Sequence, residues 1–205
     1  CDGKIYTTVA QAAEVATSGS VVTLLHDSAE TVVLPVGVIL DKNGYEAAGV
    51  TVAEPIAKIG ENVYTSLQAA IDAVQNGETI ELLSDVTEEL VNIEKASGVA
   101  FTIDGKNNKF TGEFEIGIGE NINIKNIDFV ASAEISPDYF IDCMDKNSNC
   151  VLTITGCTFT DTDYSTTAMG THQPTNVVID GCTAAGVASL LQNQGGYNIT
   201  VKNTT

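Results

Sequence analysis

Two hydrophobic rhythms divide the chain. In the first, Val9, Ala12, Ala13 and Ala16, and again Leu67, Ala70, Ile71 and Val74, stand at i, i+3, i+4 and i+7, the spacing of one helix face. Thr or Ser precedes each run as a helix cap, and Gly19 or Gly77 follows where a left-handed residue ends a helix. The two runs belong to copies of one segment. Ile5-Tyr6-Thr7-Thr8-Val9 through Val22-Thr23-Leu24-Leu25-His26-Asp27 returns, without a gap, as Val63-Tyr64-Thr65-Ser66-Leu67 through Ile80-Glu81-Leu82-Leu83-Ser84-Asp85. After each helix come β-rich runs (Val21 to Leu25, Thr31 to Leu34; Thr79 to Leu83, Leu90 to Ile93) broken by acidic turns. The repeating unit reads strand, helix, strand, strand.

From about Ala100 a second rhythm takes over. Phe101-Thr102-Ile103-Asp104-Gly105, Ile122-Asn123-Ile124-Lys125-Asn126, Leu152-Thr153-Ile154-Thr155-Gly156, Val177-Val178-Ile179-Asp180-Gly181 and Ile199-Thr200-Val201-Lys202-Asn203 each alternate apolar with polar and end in Gly or Asn. Alternation predicts a strand, and Gly or Asn supplies the positive φ of a tight corner. Ile127-Asp128-Phe129, Cys157-Thr158-Phe159 and Cys182-Thr183-Ala184 then predict a second strand beyond the bend. The spacing from Ile103 through Ile124, Ile154 and Ile179 to Val201 is similar but not constant, as in solenoid coils with variable loops. These five residues are expected to stack as one interior ladder, with Cys157 and Cys182 in another. The last fragment ends without a polar cap, so either a longer parent chain or packing on another subunit is expected.

The strand-corner-strand signature resembles right-handed parallel β-helix proteins of the pectin-lyase-like superfamily over roughly residues 78–205. The stretch Tyr64-Thr65-Ser66-Leu67-Gln68-Ala69-Ala70-Ile71 … Gly77-Glu78-Thr79-Ile80-Glu81-Leu82-Leu83-Ser84-Asp85-Val86 is similar to the lead-in of β-helix modules in large secreted or wall-anchored bacterial surface proteins. The resemblance implies an all-β solenoid with short amphipathic helices. Residues 1–57 would be the tail of a preceding module or the first part of the solenoid. Residues 58–205 would be the β-helix, with a helical lead-in at 65–76. It also implies an extracellular location, at the cell surface or secreted.

Composition narrows the function. The 205 residues are 43% hydrophobic, a globular balance, and carry a formal net charge of −18 with no Arg. That field repels nucleic acid and anionic lipid. No apolar run approaches the ~20 residues of a membrane helix, and the first residues do not read as a signal peptide. Lyases of the resembled superfamily are expected to use an Arg base beside Asp-bound calcium, and its hydrolases a Gly-His-Gly stretch with a downstream Arg-Ile-Lys. Neither pattern occurs here. His172 reads as a loop residue and His26 as a surface turn. A non-catalytic surface or adhesin-type module is therefore expected, with glycans or host and cell-surface proteins as partners beside neighbouring domains of its own chain. A carbohydrate-active lyase or hydrolase, or a phage or appendage fibre component, is the alternative.

One pair of dipeptides suggests a binding site. The sequence step that maps Cys157 onto Cys182 also maps Asp138-Tyr139 onto Asp163-Tyr164. Stacked about 4.8 Å apart, the tyrosines would form a platform for sugar rings and the carboxylates would suit calcium; a turn Asp followed by an edge-covering Tyr is the structural alternative. Asp142, Asp145 and Asp161 read as solvating charge. Cys143 and Cys150 flank a polar loop suited to a small disulfide ring, whereas Cys157 and Cys182 read as reduced interior fillers. No Cys/His spacing fits zinc. Cys1 is either a lipid-bearing residue or an ordinary first residue.

Overall fold

The computed structural model describes residues 1–95, 99–118, 121–143, 150–163, 165–172, 175–194 and 198–205. It separates into two compact units, Cys1–Pro55 and Ile56–Thr205.

In the first unit, helix α1 (Val9–Ala13) precedes four short strands: β1 (Val21–Thr23), β2 (Val32–Leu34), β3 (Ile39–Asp41) and β4 (Val50–Val52). β1 pairs with β3 and β2 with β4, both parallel, placing Val21 beside Ile39 and Val32 beside Val50. The chain thus turns twice round its own core of Val9, Ala12, Val22, Leu24, Leu34 and Val50.

The second unit opens with β5 (Ala57–Ile59), β6 (Asn62–Tyr64), helix α2 (Leu67–Ala73), β7 (Thr79–Leu82) and β8 (Val86–Glu94). β9 (Ala100–Asp104), β10 (Lys109–Ile118), β11 (Asn121–Lys125), β12 (Asp128–Val130), β13 (Tyr139–Cys143) and β14 (Cys150–Thr155) follow. The remaining strands are β15 (Thr158–Thr160), β16 (Thr167–Thr171), β17 (Thr175–Asp180), β18 (Thr183–Ala185), β19 (Ser189–Asn193) and β20 (Asn198–Lys202). One sheet runs β20-β17-β14-β11-β9-β7-β5-β6; the other runs β18-β15-β12-β10-β13-β16-β19, with β8 also on β10. Apart from β5, which is antiparallel to β6 and β7, the pairings are parallel, and the sheets curl round an axis as a solenoid does.

The interior ladder forms in the expected register. Ile103 pairs with Ile124, Ile124 with Ile154, Ile154 with Ile179 and Ile179 with Val201, and Ile80 extends the row below. The first four are fully or almost fully buried, each contributing roughly 1.5–3 kcal/mol of burial. At the corners, Asn126, Gly156, Gly181 and Asn203 have φ of 53, 61, 63 and 51°, as the bend requires. Gly105 differs, because the positive φ there belongs to Lys106 and Asn107. Gly105 serves close approach instead: a Cβ would lie 2.4 Å from the Asn126 carbonyl oxygen. Behind the corners Phe129 stacks on Phe159 at 5.1 Å and meets Phe110 and Phe114 edge-on. Cys157 and Cys182 fill the next row, buried, with their thiols donating to the Ile124 and Ile154 carbonyls one coil apart.

Both helices are shorter than the apolar periodicity but keep the expected caps, Thr8 accepting from Gln11 N–H and Ser66 from Ala69 N–H. The repeat also extends to an acid that periodicity does not reveal. Glu30 accepts the Val9 and Ala10 N–H groups, and Glu88, at the equivalent position of the second copy, accepts those of Leu67 and Gln68. A carboxylate on the first free N–H groups of a helix satisfies them and opposes the helix dipole. An irregularity in the β8–β10 register, where Glu88 lies opposite Gly112, accompanies this bond.

Candidate functional site

The outer face of β10, β13, β16 and β19 carries a continuous polar cluster. Alternation in β10 buries Phe114 and Ile116 and turns Glu113 and Glu115 outward. Glu115 lies beside Asp142 of β13, Asp142 beside Gly170 of β16, and Gly170 beside Gln192 of β19. Gly170 is the residue that gives this face its depth. A Cβ there would sit 2.8 Å from the Tyr139 ring and 2.9 Å from Asp142 Oδ1, so any side chain would displace both.

Three aromatic and amide groups frame Asp142. His172, immediately after β16, is held by its N–H on the Cys143 carbonyl and brings Nε2 to 3.1 Å from Asp142 Oδ1. The Tyr139 ring meets His172 edge-on at 5.6 Å, and its hydroxyl donates to Gln192 Oε1 at 2.9 Å. Next to this cluster lies an open groove of about 520 Å³, lined by Glu89, Leu90, Glu113, Glu115, Ser136 and Pro137.

The electrostatics follow from crowding acids on a half-dry face. Burial raises the Asp142 carboxyl above its ordinary range, His172 pulls it back, and Glu115 and Asp138 raise it further. Burial, then the charges of Asp142, Glu115 and Asp138, push Glu113 up to about 7. Glu113 therefore holds a proton over part of the neutral range and can donate as well as accept. An unfolded Glu ionises near 4.5, so the folded state is penalised progressively from that pH to about 7. Glu113→Gln, fixed in the neutral form, should match wild-type stability below that lower value. At mildly alkaline pH it should be more stable by about 1 kcal/mol, after discounting for solvent on this half-exposed group. Urea titrations under the two conditions check this, and an equal stability gap in both would contradict it.

The residues expected from the sequence fall in different places. Tyr139 stands in the cluster, and Asp138 borders it, its carbonyl accepting Thr167 N–H. Tyr139 pairs with Thr167, and its expected partner Tyr164 falls outside the described residues. The step from Cys157 to Cys182 holds at the corner strands, where Ile154 meets Ile179, but the loops between corners differ in length, so one offset cannot be carried round the coil. Asp163 is exposed, its N–H donating to Asp161. Tyr164 and Asp145 lie outside the described residues. So does the side chain of Cys150, and with it the ring to Cys143, which itself is buried. Asp142 and Asp161 are not solvating charges; they are only 5% and 4% exposed. Glu113 and Glu115 are not among the residues expected from the sequence, and His172, expected there only as a loop residue, stands just after β16 outside any strand. The outward positions of Phe114-Glu115-Ile116 marked the glutamates, while His172 depends on a pairing register that composition cannot give.

Among the described residues no three His, Cys, Asp or Glu side chains converge as a cation site requires. The chemistry on offer is hydrogen bonding to hydroxyls and amines, one aromatic ring, and proton exchange near neutrality. No protein-family model, curated protein or solved structure matches the chain.

Proposed function

We propose that the chain is a right-handed parallel β-helix module of the pectin-lyase-like kind, displayed on or secreted from a bacterial cell, that binds glycans without cleaving them. The observation that carries this reading is the placement of Tyr139 on a sheet face with His172 against its ring, Gln192 on its hydroxyl, and Asp142 beside the same Gly170 that its ring covers. An aromatic ring beside fixed polar groups is how a protein recognises a sugar, whose faces are apolar and whose edges are hydroxyls. The sign of the charge selects among glycans. Glu113, Glu115, Asp138 and Asp142 repel uronates and sulfates, so neutral or amino sugars fit this face.

Tyr139→Ala tests the site. The variant should lose at least about tenfold in affinity for the glycans that wild type retains, the ~1.4 kcal/mol of one well-placed contact, with its melting temperature close to that of wild type. Undiminished binding would move the site elsewhere.

One observation favours a second reading, a carbohydrate-active enzyme. Glu113 is a carboxylic acid with a pKa of about 7 close to the carboxylates of Asp142 and Glu115, the pattern of a general acid beside a base. Release of reducing ends, lost in Glu113→Gln, would establish that reading in place of the first.

A further inference from the structure

Asn-Gly occurs twice in the chain, at Asn43-Gly44 and Asn76-Gly77, and each pair fills the middle of a tight turn. Tyr45 N–H donates to the Lys42 carbonyl at 2.8 Å round the first, and Glu78 N–H donates to the Gln75 carbonyl at 3.2 Å round the second. All four residues are exposed. Both glycines have positive φ, 83° at Gly44 and 82° at Gly77, which is why glycine occupies these places. An Asn followed by Gly is open to a reaction that bulkier neighbours hinder: with no side chain beside it, the glycine nitrogen can attack the Asn carboxamide carbon.

The two turns differ in what ties down the reacting atoms. At the second, Gly77 N–H donates to the Ala100 carbonyl at 2.6 Å, and Asn76 Oδ1 accepts the Ala100 N–H at 2.8 Å. One residue of β9 thus holds both the nucleophile and the group it would attack, and reaction must wait until both bonds open. At the first turn Gly44 N–H donates to no backbone carbonyl among the described residues. The Asn43 side chain is held through Nδ2, which donates to the Leu24 carbonyl at 3.3 Å, and that nitrogen is the leaving group.

We propose that Asn43 is a site of covalent self-modification, converted through a cyclic succinimide to aspartate and isoaspartate, while β9 protects Asn76. A bond forms between Gly44 N and Asn43 Cγ as the Cγ–Nδ2 bond breaks. The Gly44 proton leaves with the amide nitrogen as ammonia, and one water then opens the ring at either carbonyl. No oxidant or cofactor is consumed. The product carries a carboxylate in place of the donor, so the Leu24 carbonyl loses its side-chain partner. It also adds a negative charge beside the Asp41 carboxylate, which accepts the Asn43 N–H, at the end of β3 where Leu24 N–H meets the Asp41 carbonyl.

Incubation of the full chain in mildly alkaline buffer, folded and in urea, tests this by peptide mapping with mass spectrometry. In the folded chain Asn43 should turn acid at least about tenfold faster than Asn76, whose reaction needs local opening. In urea the two should react at similar rates. An unreacted Asn43, or an Asn76 that keeps pace with it in the folded chain, would overturn the proposal. So would an Asn76 that stays equally slow in urea, because its protection would then lie in its sequence neighbours rather than in Ala100.

Discussion

Ile154→Asp is expected to abolish cooperative unfolding of the second unit. Ile154 is fully buried, clamped between Ile124 below and Ile179 above. A carboxylate there would face only the apolar side chains of the ladder. Burying an unpaired charge costs several kcal/mol even when the group takes up a proton instead, and the hydrophobic burial of Ile is lost besides. The sum exceeds about 5 kcal/mol, comparable to the whole stability of a domain this size. Ile154→Val, which removes one methylene and keeps the register, should cost only about 1 kcal/mol. Urea unfolding followed by circular dichroism separates the two. A wild-type transition in Ile154→Asp would mean that residue 154 faces outward and that the coil register is wrong.

The second large effect is expected at Asp161. Its carboxylate organises the turn after β15: Oδ1 accepts the Asp163 N–H at 3.0 Å, and Oδ2 accepts the Ser165 and Thr166 N–H groups at 2.9 and 2.8 Å. These bonds to the charged form, against the cost of burial, hold the group down at about 2. Asp161→Ala would leave three backbone donors without partners in a 4%-exposed position, a loss of about 3 kcal/mol at neutral pH. The pH dependence identifies the cause. The folded pKa is depressed below 3.8, so the contribution is complete above that value and disappears as the pH falls toward 2. The difference between wild type and Asp161→Ala should therefore shrink over that interval. A gap that stays constant across it would assign the loss to packing rather than to the ionised carboxylate.

Much of this fold was legible because its signals are periodic. A strand that buries every second residue and then turns through Asn or Gly leaves the same mark in each coil, so Ile103, Ile124, Ile154, Ile179 and Val201 could be aligned without any structure. The longer N-terminal repeat was equally plain, since Tyr6 and Tyr64 sit in near-identical surroundings. Contacts across coils at the loops were not legible. Tyr139 pairs with Thr167, a partner set by loop lengths that vary from coil to coil, and a one-dimensional offset is valid only where the chain is regular. The candidate site depends on that irregular part: Asp142 meets His172 through the β13 to β16 register, and Gly170 makes room for both Tyr139 and Asp142. Composition also hid the burial of Asp142 and Asp161, since an acid among 27 carries no mark of which strand face or turn it will occupy.

The glycan-binding reading is tested most directly by screening the purified chain against a panel of neutral, amino-sugar, uronate and sulfated glycans, with calcium and with chelator. Retained protein and released reducing ends are measured in the same wells. Retention on neutral or amino-sugar glycans with no release is the expected result, and its dependence on calcium decides whether a cation belongs to the site. Retention confined to uronates or sulfated glycans, release of oligosaccharide, or no retention on any glycan would contradict the account.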